Sequence, residues 1–209
     1  MLDSDEIRGL LDSFAQESGV RVLTYGQGGF RQVIGNVAIN SLADMKGVKV
    51  RVPESDIYID TFAALGANPT PLAYTDTFTA LQQGTVDAFE ITPAVVLSAG
   101  FYEVCSDISM TNHLYSPNPL MISESLFESL TEEQQNVITE AAKKAAADQR
   151  QWLEDGEADT LSQLQEKGMT VNNPDLTEFQ AAVESSGLYD SYKDTIGTDL
   201  FDSIQALCK

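Results

Sequence analysis

Apolar and polar positions alternate along this chain with periods that change from one segment to the next. In "VKVRV", Val48, Val50 and Val52 alternate with Lys49 and Arg51, which is the two-residue period of a half-buried strand, and Pro53 ends it by removing a ladder donor. Upstream, "SDEIRGLLDSFAQE" carries Ile7, Leu10, Leu11 and Phe14 at helical spacing, with acidic residues in the first turn. "VRVLTY" then reads as a strand, "GQGG" as a flexible turn and "FRQVI" as the next strand; no GK[ST] follows the glycines, so a phosphate loop is not expected.

From Ser41 onward, strand and helix alternate. "SLADMKG" predicts a short capped turn, and "SDIYIDTFAALG" a helix capped by Ser55 and closed by Gly66. "NPTPLAY" is a strand too rich in proline to be central along its whole length. "TDTFTALQQG" predicts a helix with Thr75 as its cap, "TVDAFEI" a buried strand, "PAVVLSAG" a helix with proline in its first turn, and "DISMTNHLY" and "PLMIS" two further strands. This alternation implies an α/β fold with a mostly parallel sheet covered on both faces.

The last third differs. Thr131 and Gln134 form a capping-box pattern, and Val137, Ile138, Ala141, Ala145 and Trp152 trace one apolar stripe. A continuous helix from about 132 to 167 spans roughly 50 Å, more than one lobe, and such a helix usually bridges two bodies. Gly156 is either a kink or a residue of an unbroken helix. After Gly168, "MTVNNP" reads as an extended piece, followed by two or three amphipathic helices.

Charge narrows the function. Against 12 basic residues stand 32 acidic ones, a formal net charge of −20, which argues against nucleic acid or an anionic membrane surface as partner. An anionic ligand therefore needs locally placed arginines. Two distant cysteines, Cys105 and Cys208, exclude a zinc knuckle or CxxC motif and leave either a long-range disulfide or two free thiols. His113 is the only histidine, so metal sites and histidine-based triads are not expected, and no cofactor is. The first residues are acidic and do not read as an export signal, so none is expected in them, and no apolar run is long enough to cross a bilayer.

The segments "INSLADMKGVKVRVPES", "LGANPTPLAYTDTFTALQQGTVDAFE", "FYEV" and "TNH", in this order and at these intervals, resemble the substrate-binding proteins of tripartite ATP-independent periplasmic (TRAP) transporters of the DctP type. The resemblance covers nearly the whole chain. It implies a periplasmic-binding-protein-like clamshell fold that captures a small organic-acid anion, such as a dicarboxylate or a sialic acid, and delivers it to TRAP membrane permease subunits. It implies a periplasmic location for the full-length protein and no enzymatic activity. Relative to the family pattern the chain begins late, so one complete α/β lobe, part of the second and a long connecting helix are expected. Residues 1–23 then belong to lobe I, residues 24–113 form lobe II, and residues 114–209 return to lobe I through the long helix and the C-terminal helices.

The resemblance also implies site residues. Arg51 matches the family arginine that pairs with the ligand carboxylate, and a planar fork of donors at a strand's carboxyl end in an open α/β sheet suits that task. Its alternative is a surface arginine. Arg31 corresponds to a second family arginine, which either holds a second carboxylate or pairs with Glu90. Tyr74 lies where the family has a pocket-lining aromatic, with a core tyrosine as the alternative. Glu90 would repel an anion and is expected to orient an arginine or accept from a ligand hydroxyl or amine. Where many members have Asn-Pro after that glutamate, this chain has Ile91-Thr92-Pro93; with Phe89, Ile91 points to a more apolar pocket and to a monocarboxylate or an aromatic or branched acid, unless both are core. His113 reads as a hinge or structural histidine, and Tyr115 and Asn118 as residues that can reach the cleft. The alternatives from other classes are a small-acid-processing enzyme with Asp87 or Glu90 as base, and a sensory ligand-binding module.

Overall fold

Six strands form one sheet: β1 (Val20–Gly35), β2 (Lys49–Val52), β3 (Asn68–Pro71), β4 (Ala88–Ile91), β5 (Asp107–Ser123) and β6 (Thr170–Asn172), in the spatial order β3-β2-β4-β1-β5-β6. The helices are α1 (Asp56–Ala64), α2 (Tyr74–Gln82), α3 (Pro93–Ala99), α4 (Glu124–Ser129), α5 (Glu132–Glu166), α6 (Leu176–Ser185), α7 (Leu188–Ile196) and α8 (Thr198–Leu207). This computed structural model describes Ser4, Ile7, Phe14, Ala15, residues 17–206 and the backbone of Leu207. Ile7, Phe14 and Ala15 are helical as expected, whereas Leu10, Leu11 and Cys208 lie outside the described residues, and with Cys208 the disulfide question.

The sheet is mixed, with parallel pairs and an antiparallel strand at its centre. β2 runs parallel to β3 and to β4, and β5 parallel to β6, but β1 is antiparallel to β4. Helical crossovers α1 and α2 link β2, β3 and β4, and such crossovers impose the parallel direction. No helical crossover constrains β1 in this way, because residues 36–48 hold only a 3-10 turn at Leu42–Met45. Pro69 and Pro71 confine β3 to the sheet edge, where a missing donor is tolerated.

The chain divides into two compact units. One takes residues 1–29, 116–155 and 193–209; the other takes 30–115 and 156–192, so residues 156–192, read from sequence as part of the 114–209 return, pack with 30–115. In this second unit the sheet is buried on both faces. Val33, Val50, Val52 and Ala88 pack with Phe62 of α1 and Phe179 of α6 on one side. Ile34 and Phe89 pack with Leu81 of α2, Val96 of α3, Phe101 and Leu164 of α5 on the other.

Three sequence expectations change. "GQGG" is not a turn: β1 runs unbroken through it. The glycines provide clearance instead, because a side chain at residue 26 would sit 2.7 Å from Gln149 Oε1, and one at residue 28 would sit 3.1 Å from Ser116 Oγ. Through that clearance Gln149 acts as a surrogate strand, accepting from Gln27 N at 2.9 Å and donating to Gln27 O at 2.7 Å. "DISMTNHLY" and "PLMIS" merge into the single strand β5; Asn112, at φ 45°, is held in its left-handed conformation by Gln32, which accepts from Asn112 N at 2.9 Å and donates to Asn112 Oδ1 at 2.6 Å. Thr75 is not a cap: α2 starts at Tyr74, after Ala73.

The long helix forms as expected, unbroken at Gly156, and its Thr131–Gln134 capping box closes with bonds of 2.9 and 3.3 Å. Its buried stripe is displaced by one position from the expected one. Ala142, Ala146 and Leu164 face inward, while Val137, Ala141, Ala145 and Trp152, the last 72% exposed, do not.

Two substitutions in α5 should move stability in opposite directions. Gln149→Ala strips both partners from the Gln27 backbone and is expected to cost about 1–3 kcal/mol. Gly156→Ala, whose added Cβ meets nothing within 4 Å, should stabilise by about 0.5–1 kcal/mol. Urea denaturation of both variants reads the two signs; a stabilising Gln149→Ala would refute the surrogate-strand role.

Candidate functional site

Side chains alternate across each strand, and residues paired in register share a face. Arg51 pairs with Phe89, and Glu90 pairs with Val33, so Arg51 and Glu90 leave neighbouring strands on opposite faces of the sheet. Both stand near the carboxyl ends of the parallel strands β2 and β4, where open α/β sheets bind ligands.

Glu90 is wholly buried. The Arg31 fork closes on it: Nε donates to Oε2, while Nη2 donates to Oε1 at 2.7 Å and to the Glu90 carbonyl at 3.0 Å. The ring of Tyr58, on α1, lies 5.2 Å from the Arg31 guanidinium carbon. His113 approaches the same carboxylate, Nε2 to Oε2 at 3.5 Å, with Nδ1 bonded to Thr111 Oγ1 at 2.8 Å and Phe62 edge-on at 4.8 Å. Burial opposes charge on Arg31, but the hydrogen bonds and charge of Glu90 more than offset it and raise its pKa above the ordinary value. For His113 burial dominates, and its pKa falls below the ordinary imidazole value although Glu90 pulls it up.

Arg51 is placed differently. The residue is 4% exposed, yet its Nε and Nη2 both donate to one neutral acceptor, the Leu72 carbonyl, at 2.8 and 2.6 Å. Among the described residues it forms no salt bridge. Since no fully enclosed side-chain nitrogen among the described residues lacks a partner, its remaining amino group, Nη1, is not completely enclosed. Burial, with Arg31 as a further cause, lowers the Arg51 pKa against the pull of Glu90. A guanidinium desolvated without a counter-ion has the chemistry of an anion site. Tyr74, 46% exposed at the start of α2, flanks it with its ring 5.9 Å from the guanidinium carbon.

Six residues were expected at the site from sequence. Arg31 and Glu90 are brought together, and Tyr74 joins Arg51. Phe89 is core, packed at 4.4 Å on Phe101, and Ile91 packs half-buried on that same cluster. Tyr115 stands edge-on to Phe30 at 5.3 Å, and Asn118 is exposed. Asp87 stands before β4 with its carboxylate on the Lys49 N–H at 2.8 Å, at the other end of the strand from Glu90. Sequence reasoning missed Tyr58 and the Leu72 carbonyl. The spacing of Tyr58 inside an amphipathic helix reads as core, and a backbone acceptor carries no residue-type signal. Among the described residues, no group of three or more His, Cys, Asp or Glu is placed to hold a metal ion, and no helix is long and apolar enough to cross a membrane.

The profile of bacterial extracellular solute-binding protein family 7, DctP, matches residues 1–194. The chain belongs to this family. Among curated DctP relatives, the sialic acid-binding periplasmic protein SiaP of Vibrio cholerae is 30% identical over 207 residues, 99% of this chain and 64% of its own length. Among solved structures, a TRAP periplasmic solute binding protein of Polaromonas bound to D-erythronate is 35% identical with a TM-score of 0.89, covering 98% of this chain and 67% of the other. Another, from Roseobacter denitrificans with bound 3-deoxy-D-manno-oct-2-ulosonic acid, is 31% identical with a TM-score of 0.91, covering 99% and 69%. This chain spans between about half and two thirds of the length of the curated relatives it matches. As a DctP member it has relatives that are receptors rather than enzymes.

The two arginines should separate in mutagenesis. Arg31→Met leaves the Glu90 carboxylate buried without its partner and is expected to cost about 3–5 kcal/mol in urea denaturation. Arg51→Met removes an uncompensated buried charge and should change stability by no more than about 1 kcal/mol, in either direction. Equal losses would refute this division of labour.

His113 sets a pH dependence. Its folded-state pKa is depressed, so the unfolded state takes up the proton first. The contribution of neutral His113 to stability is complete above the unfolded pKa of about 6.5 and is lost as pH falls below it. Between pH 7.5 and 5.5 the melting temperature should therefore fall further for the parent than for His113→Gln; identical falls would refute the assignment.

Proposed function

We propose that this chain carries the anion-binding part of an extracytoplasmic solute receptor of a TRAP transporter. In this reading Arg51 takes the carboxylate of a small organic acid, and the loaded receptor delivers that acid to a membrane permease from a periplasmic location. The observation that carries the reading is the Arg51 guanidinium: buried, turned onto a single carbonyl, and without a carboxylate partner among the described residues. A bidentate carboxylate supplies the missing counter-charge. The ligands of the relatives, sialic acid, D-erythronate and 3-deoxy-D-manno-oct-2-ulosonic acid, are all hydroxylated carboxylic acids, which supports the same class here.

Tyr74, with an exposed phenol beside Arg51, is suited to receive ligand hydroxyls. Arg31 and Glu90 hold the site's shape in this reading. An enzymatic reading is disfavoured because both candidate bases are committed, Glu90 to Arg31 and Asp87 to the Lys49 backbone.

Thermal denaturation against D-erythronate, D-glucuronate, sialic acid and 3-deoxy-D-manno-oct-2-ulosonic acid tests this. A ligand at 100 times its Kd stabilises by about 2.7 kcal/mol, which for a chain of this size raises Tm by roughly 5–10 °C. At least one acid should do so for the parent and none for Arg51→Met. An equal shift in both proteins would remove Arg51 from the site, and no shift with any acid would overturn the receptor reading for this chain.

A further inference from the structure

His113 takes no part in anion capture at Arg51, yet its ring is fixed from both sides. Nδ1 stands 2.8 Å from Thr111 Oγ1, Nε2 stands 3.5 Å from Glu90 Oε2, and Phe62 meets the ring edge-on. Thr111, Glu90 and the ring are all buried, so the protein itself must match each ring nitrogen. A neutral imidazole donates from one nitrogen and accepts at the other. Glu90, paired with Arg31 through both oxygens, has only lone pairs to offer. A proton on Nε2 therefore attracts Glu90, whereas a bare Nε2 would set its own lone pair against the carboxylate. Thr111 completes the match, because its hydroxyl donates to Nδ1 once Nδ1 is the acceptor.

Thr111 and His113 meet because of the residue between them. Residues two apart along an extended strand lie about 6.6 Å from each other, and a left-handed residue shortens that step. Asn112, at φ 45°, is the one non-glycine residue with positive φ among the described residues. Gln32 holds it there from β1: the buried amide accepts from Asn112 N at 2.9 Å and donates to Asn112 Oδ1 at 2.6 Å. Both polar atoms of that amide are engaged on this single turn.

We propose that Gln32, Asn112 and Thr111 are positioning residues that hold His113 as its neutral Nε2–H tautomer, so that Glu90 gains a third donor without a second positive charge beside it. The value of this to the site rests on the reading of the Arg31–Glu90 pair as what holds the site's shape. An imidazolium would give the enclosed group of Arg31, Glu90 and His113 a net positive charge, and the Nδ1–H tautomer would oppose two acceptors. The ring supports the pair in one of its three forms, and the turn at Asn112 selects that form.

Long-range proton–nitrogen correlation spectra of the full chain read the tautomer directly, and the single histidine makes the signal unambiguous. At pH 7.5 the parent should show a pyridine-like Nδ1 and a pyrrole-like Nε2; the Nδ1–H form, or a mixture, would overturn the proposal. Thr111→Ser keeps the hydroxyl and should keep this pattern. Thr111→Val removes it at equal size, so the tautomers should mix. The proton affinity of the ring should then rise roughly three- to tenfold, because a donor to the neutral ring opposes protonation. A valine variant with the parent's pattern and titration would overturn the role of Thr111.

Asn112→Gly and Asn112→Ala both lose Oδ1 at an exposed position, and only glycine enters the left-handed region freely. The glycine variant should keep the parent's pattern while the alanine variant mixes the tautomers; matching spectra from the two would overturn the role of the turn. Gln32→Met should mix them as alanine does, and if that variant does not fold, the Asn112 pair decides. No ligand enters these measurements, so their failure leaves the receptor reading standing, and failure of every acid to bind leaves them unaffected.

Discussion

Glu90 is a carboxylate with no exposure to water, and burying such a charge costs several kcal/mol unless a partner meets it in good geometry. Arg31 supplies that partner from β1, the strand antiparallel to β4, and His113 and Tyr58 complete the enclosure from β5 and α1. Much of the site depends on this pair. It ties the central strands together at the end where α/β sheets bind ligands, and it consumes the charge of one of the two arginines there. Because Arg31 is satisfied, Arg51 is left as the guanidinium whose charge finds no carboxylate.

Strand alternation gives the two arginines different work. Arg51 leaves β2 on the face of Phe89, and its fork is turned onto the Leu72 carbonyl just beyond the end of β3. A neutral carbonyl orients a guanidinium without cancelling its charge, so direction is set while the electrostatic demand remains. Orientation without neutralisation is what anion capture requires, and it explains why burial shifts the pKa of Arg51 downward while Glu90 raises that of Arg31.

In the unit that holds residues 116–155, a backbone device plays the comparable part. Gln149 of α5 reaches β1 where Gly26 leaves room, and it satisfies both backbone groups of Gln27.

Period and caps carry short-range information, and they were legible: the alternation in β2, the proline-limited edge strand β3, the Thr131–Gln134 box and the 35-residue helix all follow from residues within a few positions of one another. The motif series from Ile39 to His113 was equally legible as the DctP pattern, and it singled out Arg31, Arg51, Tyr74 and Glu90 by residue type. What the sequence by itself could not determine depends on which segments meet. The glycines of β1 read as a turn until α5 is seen to lie against them, 122 residues away in sequence. Phe89 and Ile91 read as either pocket or core until Phe101 and α3 are seen to cover their face of the sheet. Whether Arg31 is free or paired likewise rests on a contact across 59 residues that no local period encodes. Local chemistry therefore determined the elements and the candidate groups, and tertiary packing alone decided which arginine met a carboxylate and which met only a carbonyl, because a charge's partner is set by distance in space and not by position along the chain.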